Sequence, residues 1–219
     1  SVFALENLIS RTRENTDIAR LNAAEGAETQ LSPETCELLS KVKSLSVPGV
    51  FDPTIAAVSD LWGINTESHR IPSQAEIDAA RATVSADNLI ISDGSHARLL
   101  NGAKVDLGAV GKGIAADRCA EILRENGVKS AMVVLGGNIY ALGEKSDGSA
   151  WTVGIADPDG NADYIATLEV QDTSVVTTGD YERYFIKNGI RYHHVFDPST
   201  GAPARSGLRS VTVVNESST

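Results

Sequence analysis

Positive charge is in short supply: 19 lysines and arginines face 29 aspartates and glutamates in 219 residues, for a formal net charge of −10. Such a surface repels phosphates, so nucleic acid is excluded as a nonspecific partner, and an anionic small ligand requires a local cationic or metal device. Cysteine is almost absent. Cys36 and Cys119 form no metal-ligand spacing, and each sits in an apolar-periodic stretch, where free buried thiols are common and a disulfide is not expected. No apolar run approaches the roughly 18 to 20 residues of a membrane span. The opening SVFALENLIS also lacks the basic start and cleavage site of a signal peptide, though a leader already trimmed would leave the same start. Repeats, low-complexity tracts and long linkers are missing as well. A chain this long buries about 70% of its unfolded surface without staples, so one soluble domain, with room for two lobes, is the expectation.

What is present is patterned. Val2, Leu5, Leu8, Ile9 and Thr12 recur at helical spacing, predicting an amphipathic helix through the opening fifteen or so residues. Ser32 as N-cap and Pro33 at the first helical position predict a second helix with Leu38, Leu39, Val42 and Leu45 on one face. Ser73 and Glu76 make a capping-box signature ahead of Ile77 and Ala80. After residue 87 the texture turns to strands: NLIIS, VDLG, a helix of about 14 residues from Gly113 to a C-cap glycine at Gly127, and a buried strand AMVVL. Then WTVGIA, YIATLEV, SVVTT, YFIKNGIRYHHVF with Asn188-Gly189 as a hairpin turn, and LRSVTVV follow. This mixture is α+β, with helices packed on largely antiparallel sheets.

Four segments could carry chemistry. Asp106 to Gly113, DLGAVGKG, leads into a helix: its glycines permit close backbone approach, the helix start offers unpaired N–H groups, and Lys112 adds a cation. Its spacing is neither a dinucleotide fingerprint nor a P-loop, and the same residues serve a plain glycine-rich turn. LGGN at 135–138 allows positive φ or a tight turn. TTGDYER at 177–183 joins through the hairpin to HHVFDPSTG at 193–201. Neighbouring strand histidines face opposite sides, so at most one serves a given site, and one beside threonines and aspartates can act as a base near neutral pH. A pair of strand histidines satisfied by neighbours is the plainer reading. VFDPT at 50–54 is, alone, a turn before a helix.

Taken in order, SRTxxNTDIARLN, FDPT, LW, VDLGAVGKG, LGGN, WxVGIxDP, TTGDYER and HHVFDPSTG resemble the ApbE family of FAD:protein FMN transferases, from about Leu5 to Val214. The resemblance implies a T-fold-like α+β domain over 1–219 with FAD in a cleft between the glycine-rich loops. Its FAD contacts fall on Val50, Phe51, Asp52, Asp106 and Lys112, with Thr12 at the flavin-contacting position and Thr177 as a further contact from TTGDYER. Magnesium takes the backbone carbonyl of Ala109, and the essential histidine is His194; beside the resemblance, Asp180 and Asp197 are candidate orienters of that histidine or of bound water. The implied reaction is magnesium-dependent transfer of FMN from FAD to a Thr or Ser hydroxyl of an acceptor protein, releasing AMP. The alternatives are a magnesium-dependent FAD pyrophosphatase and a flavin-binding protein without catalysis. Acceptors would be flavoproteins of electron-transfer systems, and the location extracytoplasmic, with membrane contact only through a lipid anchor on the full-length protein.

Two departures stand out. Many members carry tyrosine, and some asparagine, where this chain has Thr12, which removes ring stacking from that position and opens the balance between transfer and hydrolysis. The family's remaining magnesium ligands come from an Asp-rich segment ending in Thr, read as ADALAT, after the strand matching Leu208 to Val214. The sequence reaches Thr219 before one, so the expectation is a chain lacking its N-terminal export segment and its C-terminal metal-binding segment.

Overall fold

The computed structural model describes residues 2–219, with side chains from Leu5 onward. The chain opens with α1 (Val2–Ile9), α2 (Asp17–Ala23), β1 (Thr29–Gln30), α3 (Pro33–Ser44), α4 (Ala56–Trp62), α5 (Gln74–Arg81), β2 (Leu89–Ser92) and β3 (His96–Leu99). Next come α6 (Gly111–Glu125), β4 (Ala131–Val134), β5 (Asn138–Leu142), β6 (Trp151–Ala156), β7 (Tyr164–Val170) and β8 (Thr173–Gly179). It finishes with β9 (Tyr184–Lys187), β10 (Ile190–His193), β11 (Phe196–Asp197), β12 (Ala202–Pro203) and β13 (Ser210–Asn215). The class is α+β, and every pairing between these strands is antiparallel. Two compact units divide the chain: one takes 3–107 and 183–206, the other 108–182 and 207–219. Among the described residues, no helix is long and apolar enough to cross a membrane.

In the first unit, capping chemistry sets the helices. The Ser32 hydroxyl accepts from the Thr35 N–H at 3.1 Å and Pro33 opens α3. Ser73 and Glu76 make both halves of a capping box on α5. The opening helix stops at Ile9, short of Thr12, because the Ser10 hydroxyl accepts from the N–H groups of Thr12 and Arg13 and the Ser10 carbonyl takes the Thr16 hydroxyl. Such local side-chain bonds compete with helix continuation. On α3, Leu39 and Val42 are buried beside Thr35 and Cys36, but Leu45 lies past the last turn and is 43% exposed. Asn188 and Gly189, with φ of 54° and 73°, turn β9 into β10 as the I′ hairpin requires. Phe185 and Tyr192 from that hairpin stack at 5.1 Å and join Trp62, Val58 and Ile77 in one core.

Asp17 ties this unit's N-terminal helices together. It is buried, and its carboxylate accepts from the Ser32 N–H (2.9 Å), the Thr35 hydroxyl (2.7 Å) and Arg20 (2.5 Å). Burial alone would push the carboxyl up, but the bonds from Ser32, Thr35 and Arg20 overcome it and hold it below the usual 3.8. Because the folded value is the lower one, the stabilisation is complete above about pH 4 and is lost as pH falls through the folded value. Asp17→Asn should therefore cost about 2 kcal/mol at pH 7 and visibly less at pH 3, read from urea midpoints of the two proteins at both pH values.

The second unit is layered around the sheet β13-β8-β5-β4. The period of two along β5 sends Tyr140 and Leu142 to Ala116 and Ala120 of α6, and Ala141 to Val153, Ile155 and Val170 of the β6–β7 ribbon. AMVVL is the edge strand of this sheet rather than a buried one, with Val134 58% exposed. Helix α6 begins at Gly111, two residues earlier than its glycine pattern suggests, and Gly127 follows its C-cap in the left-handed region at φ 76°.

Candidate active site

In the first unit three of the singled-out segments meet. The backbone amide of Asp106 donates to the Pro53 carbonyl at 2.8 Å, which lays VDLG against FDPT. Asn22 brackets Val105 as a strand partner would, its amide donating to the Val105 carbonyl (2.8 Å) and accepting from the Val105 N–H (2.7 Å). Arg11 reaches the Asp106 carboxylate at 2.9 Å. The Asp52 carboxylate builds its own loop, taking the Thr54 N–H and hydroxyl on one oxygen and the Ala86 N–H on the other. Beside it, Val47 and Phe51 exchange backbone bonds at 2.9 Å, a tight turn that leaves Val50 72% exposed and Phe51 half-buried. Thr12 is exposed next to Arg11.

The two histidines differ as strand geometry dictates. His193 is buried, with Nε2 at 3.0 Å from the Ala204 carbonyl. His194, just past β10, is half-buried, with Nδ1 at 3.3 Å from the Arg183 carbonyl. A carbonyl only accepts, so the neutral His194 ring carries its proton on Nδ1 and leaves Nε2 the basic nitrogen, while His193 has the opposite tautomer. Asp197 closes the DPSTG turn: its carboxylate takes the Ser199 hydroxyl (2.6 Å) and N–H (2.8 Å). The Ser199 hydroxyl, more than any other group, holds its carboxyl below the usual carboxylate range. The turn is pinned in place by the Trp62 indole on the Gly201 carbonyl at 2.9 Å and by Arg81 on the Ser199 carbonyl at 2.6 Å.

The second unit gathers the other segments. Lys112, exposed in the first turn of α6, donates to the Gly136 carbonyl of LGGN at 2.6 Å. The Gly137 carbonyl accepts from the Thr177 N–H at 2.8 Å, and the Thr177 hydroxyl meets that of Thr212 at 2.8 Å. Gly136 and Gly137 have φ of 51° and 85°, which glycine adopts without strain. No acidic residue occupies the first turn of α6, so Lys112 adds positive charge to the positive end of the helix dipole, an arrangement unfavourable without an anion. Gly113 has a different office: a Cβ there would stand 2.1 Å from the Ser218 carbonyl oxygen. It admits a neighbouring backbone rather than a ligand. Asp180 is paired with Arg209 at 2.9 Å. Ala109 lies exposed in the turn before α6. Among the described residues no group of three or more His, Cys, Asp or Glu could hold a metal ion. The Ala109 carbonyl is one neutral oxygen, whereas magnesium also takes one or two carboxylates.

Residues 1–219 match the model of a known sequence family, described as the ApbE family. The chain belongs to the ApbE family. It is 34% identical to the FAD:protein FMN transferase of Klebsiella pneumoniae (strain 342) over 97% of this chain and 67% of the relative. It is also 34% identical to that of Treponema pallidum (strain Nichols), over 98% and 64%. Among solved ApbE structures, the apbe protein from Thermotoga maritima superposes with a TM-score of 0.92 at 32% identity, covering 98% of this chain and 71% of that one. The apo flavinyl transferase ApbE of Pseudomonas stutzeri gives 0.86 at 32% identity, over 99% and 70%. The chain therefore spans about two thirds of the length of the curated ApbE relatives it matches. Arg11 and Asn22, which hold the Val105–Asp106 segment, are not marked by motif reading, although both stand inside SRTxxNTDIARLN.

Proposed function

We propose that this chain belongs to an FAD:protein FMN transferase, which moves FMN from FAD to a Thr or Ser hydroxyl of an acceptor protein and releases AMP. The acceptor oxygen attacks the phosphorus on the FMN side, a new P–O bond forms, the pyrophosphate P–O bond breaks, and AMP departs with its phosphate. The observation that carries this reading is Lys112, a cation in the first turn of a helix and bonded to the LGGN carbonyl, in a protein of net charge −10. A dinucleotide pyrophosphate supplies the anion that this arrangement lacks. His194 Nε2 takes the hydroxyl proton, and the Arg183 carbonyl holds the ring in the tautomer that can do so. Asp197 acts through the turn it closes, and Asp180 through Arg209. Thr12, Val50, Phe51, Asp52, Asp106 and Thr177 are proposed to border FAD.

Magnesium dependence is part of the proposal, since phosphoryl transfer is mostly positioning and charge neutralisation. Acceptors that are flavoproteins of electron-transfer systems, and an extracytoplasmic setting with a lipid anchor, extend the same reading from family resemblance. Incubation with FAD, magnesium and a threonine-bearing acceptor peptide should give AMP and covalently fluorescent peptide in equal amounts. AMP with free FMN and unlabelled peptide would mean a pyrophosphatase; FAD binding without either product would mean a carrier. In the same preparation, Lys112→Ala should weaken FAD binding about tenfold at low salt, the deficit shrinking as ionic strength rises. A lysine that is merely solvated would show no deficit at any salt concentration.

A further inference from the structure

We propose that Arg183 and Arg205, together with the exposed side chains of the β9–β10 hairpin, form a docking surface for an acidic segment of the acceptor polypeptide. The inference rests on the flavin-transfer reading and names the chemistry of its partner. Where the chain carrying His194 leaves β10, it is bonded to two neighbours. The His194 N–H donates to the Arg183 carbonyl at 3.1 Å, and the Val195 carbonyl accepts from the Ala204 N–H at 2.9 Å. Arg183 stands at the first of these bonds and Arg205 directly follows the second, and both residues are exposed.

Charge sets these two arginines apart. In a protein with acid in excess, eight arginines pair with a carboxylate. Among the described residues neither Arg183 nor Arg205 has such a partner, and the Arg205 guanidinium lies instead over the Tyr192 ring, 5.4 Å from its centroid. Residues 183–206 hold four cations, Lys187 and Arg191 being the others, against one carboxylate, Asp197, which is taken up by Ser199. A local positive field in a chain of net charge −10 draws an anion and steers its approach. The surface beside it selects the kind of anion. Ile186 and Ile190 are 60% and 46% exposed, and Tyr184 carries the Arg191 guanidinium over its ring at 4.4 Å. A phosphate makes no use of aliphatic area, whereas a polypeptide covers it. An acceptor hydroxyl that hands its proton to His194 also brings its own chain alongside the strand that carries the ring.

The test uses the full chain and a short rhodamine-labelled peptide with aspartates on both sides of a threonine, its binding read from fluorescence anisotropy. The parent should bind it about tenfold more tightly than the same peptide with asparagines, and the advantage should fade as salt rises. The double variant Arg183→Gln/Arg205→Gln should bind both peptides alike, with FAD affinity, read from quenching of flavin fluorescence, within about twofold of the parent. Arg98→Gln is the control for net charge: Arg98 is exposed on β3 and, among the described residues, also has no carboxylate partner. That variant should keep the preference for aspartates. No preference in the parent, a preference that survives in the double variant, or an equal loss in Arg98→Gln would overturn the proposal. So would a parallel loss of FAD affinity, which would make the two arginines phosphate contacts. Docking is read without turnover, so a parent that prefers the acidic peptide but releases no AMP from FAD would overturn the flavin-transfer reading and leave the docking surface standing.

Discussion

Replacing His194 by alanine should lower the rate of FMN transfer by about 10² to 10⁴-fold, the usual contribution of a general base, with FAD affinity within about twofold of the parent. The expectation follows from the ring's hydrogen bond. With Nδ1 on the Arg183 carbonyl, the neutral imidazole is held in the tautomer whose Nε2 can accept a proton. The hydroxyl of a threonine or serine is far too weak an acid to attack phosphorus unaided. His193→Ala should behave differently. That ring is buried with Nε2 on the Ala204 carbonyl, so its removal leaves a cavity and an unsatisfied carbonyl, lowering the melting temperature more than the rate constant of the folded enzyme. Covalent labelling of an acceptor peptide and thermal unfolding, measured on both variants, separate the two. A dominant effect on transfer from His193 would show the assignments to be reversed.

Gly113→Ala should destabilise the protein by about 3 kcal/mol, a fall in melting temperature of about 6 to 12 °C for a chain of this size. The added Cβ would sit 2.1 Å from the Ser218 carbonyl oxygen and 2.8 Å from its carbon. Both are backbone atoms and cannot rotate aside as the end of a long side chain could. Either the C-terminal segment lifts from α6 or the helix shifts on its sheet, where Ala116 and Ala120 pack against Tyr140 and Leu142. Gly127→Ala on the same helix provides the control, because a Cβ there meets nothing within 4 Å and only the positive φ of 76° opposes it. Its cost should be about 1 kcal/mol. Equal losses from the two variants would show that conformation, not close approach, is what Gly113 provides.

The parts of this fold that are readable in sequence are those decided within a few residues. Ser32-Pro33, the Ser73–Glu76 box and the Asn188-Gly189 turn are chemical instructions complete in themselves, and the structure follows each. Where the outcome depends on distant chain, local pattern falls short. AMVVL reads as a buried strand, yet sheet order places it at an edge. The helical spacing that includes Thr12 is broken by the hydroxyls of Ser10 and Thr16. α2, only 7 residues long, escapes periodicity, although Thr16 ahead of Ile18 and Leu21 is an N-cap signal. For the candidate site the limit is the same. The motifs mark which segments matter, but they do not say that Arg11 belongs to Asp106, 95 residues away, or Asn22 to Val105, 83 residues away.

The pinning of the DPSTG turn bears on how this chain comes off the ribosome. Trp62 emerges early, but the carbonyl that its indole requires belongs to Gly201, 139 residues later, and the rings that pack against it come from the β9–β10 hairpin and its neighbour Phe196. The intervening stretch includes most of the other unit, residues 108–182. The core around Trp62 is not closed until the chain has passed Phe196 and Gly201, so shorter chains carry Trp62, Val58 and Ile77 without their partners. Such exposed apolar surface is what chaperones recognise. Vectorial synthesis therefore gives the Trp62 core no early, self-sufficient piece, and its closure waits on a loop of high entropy rather than on the helices that form first.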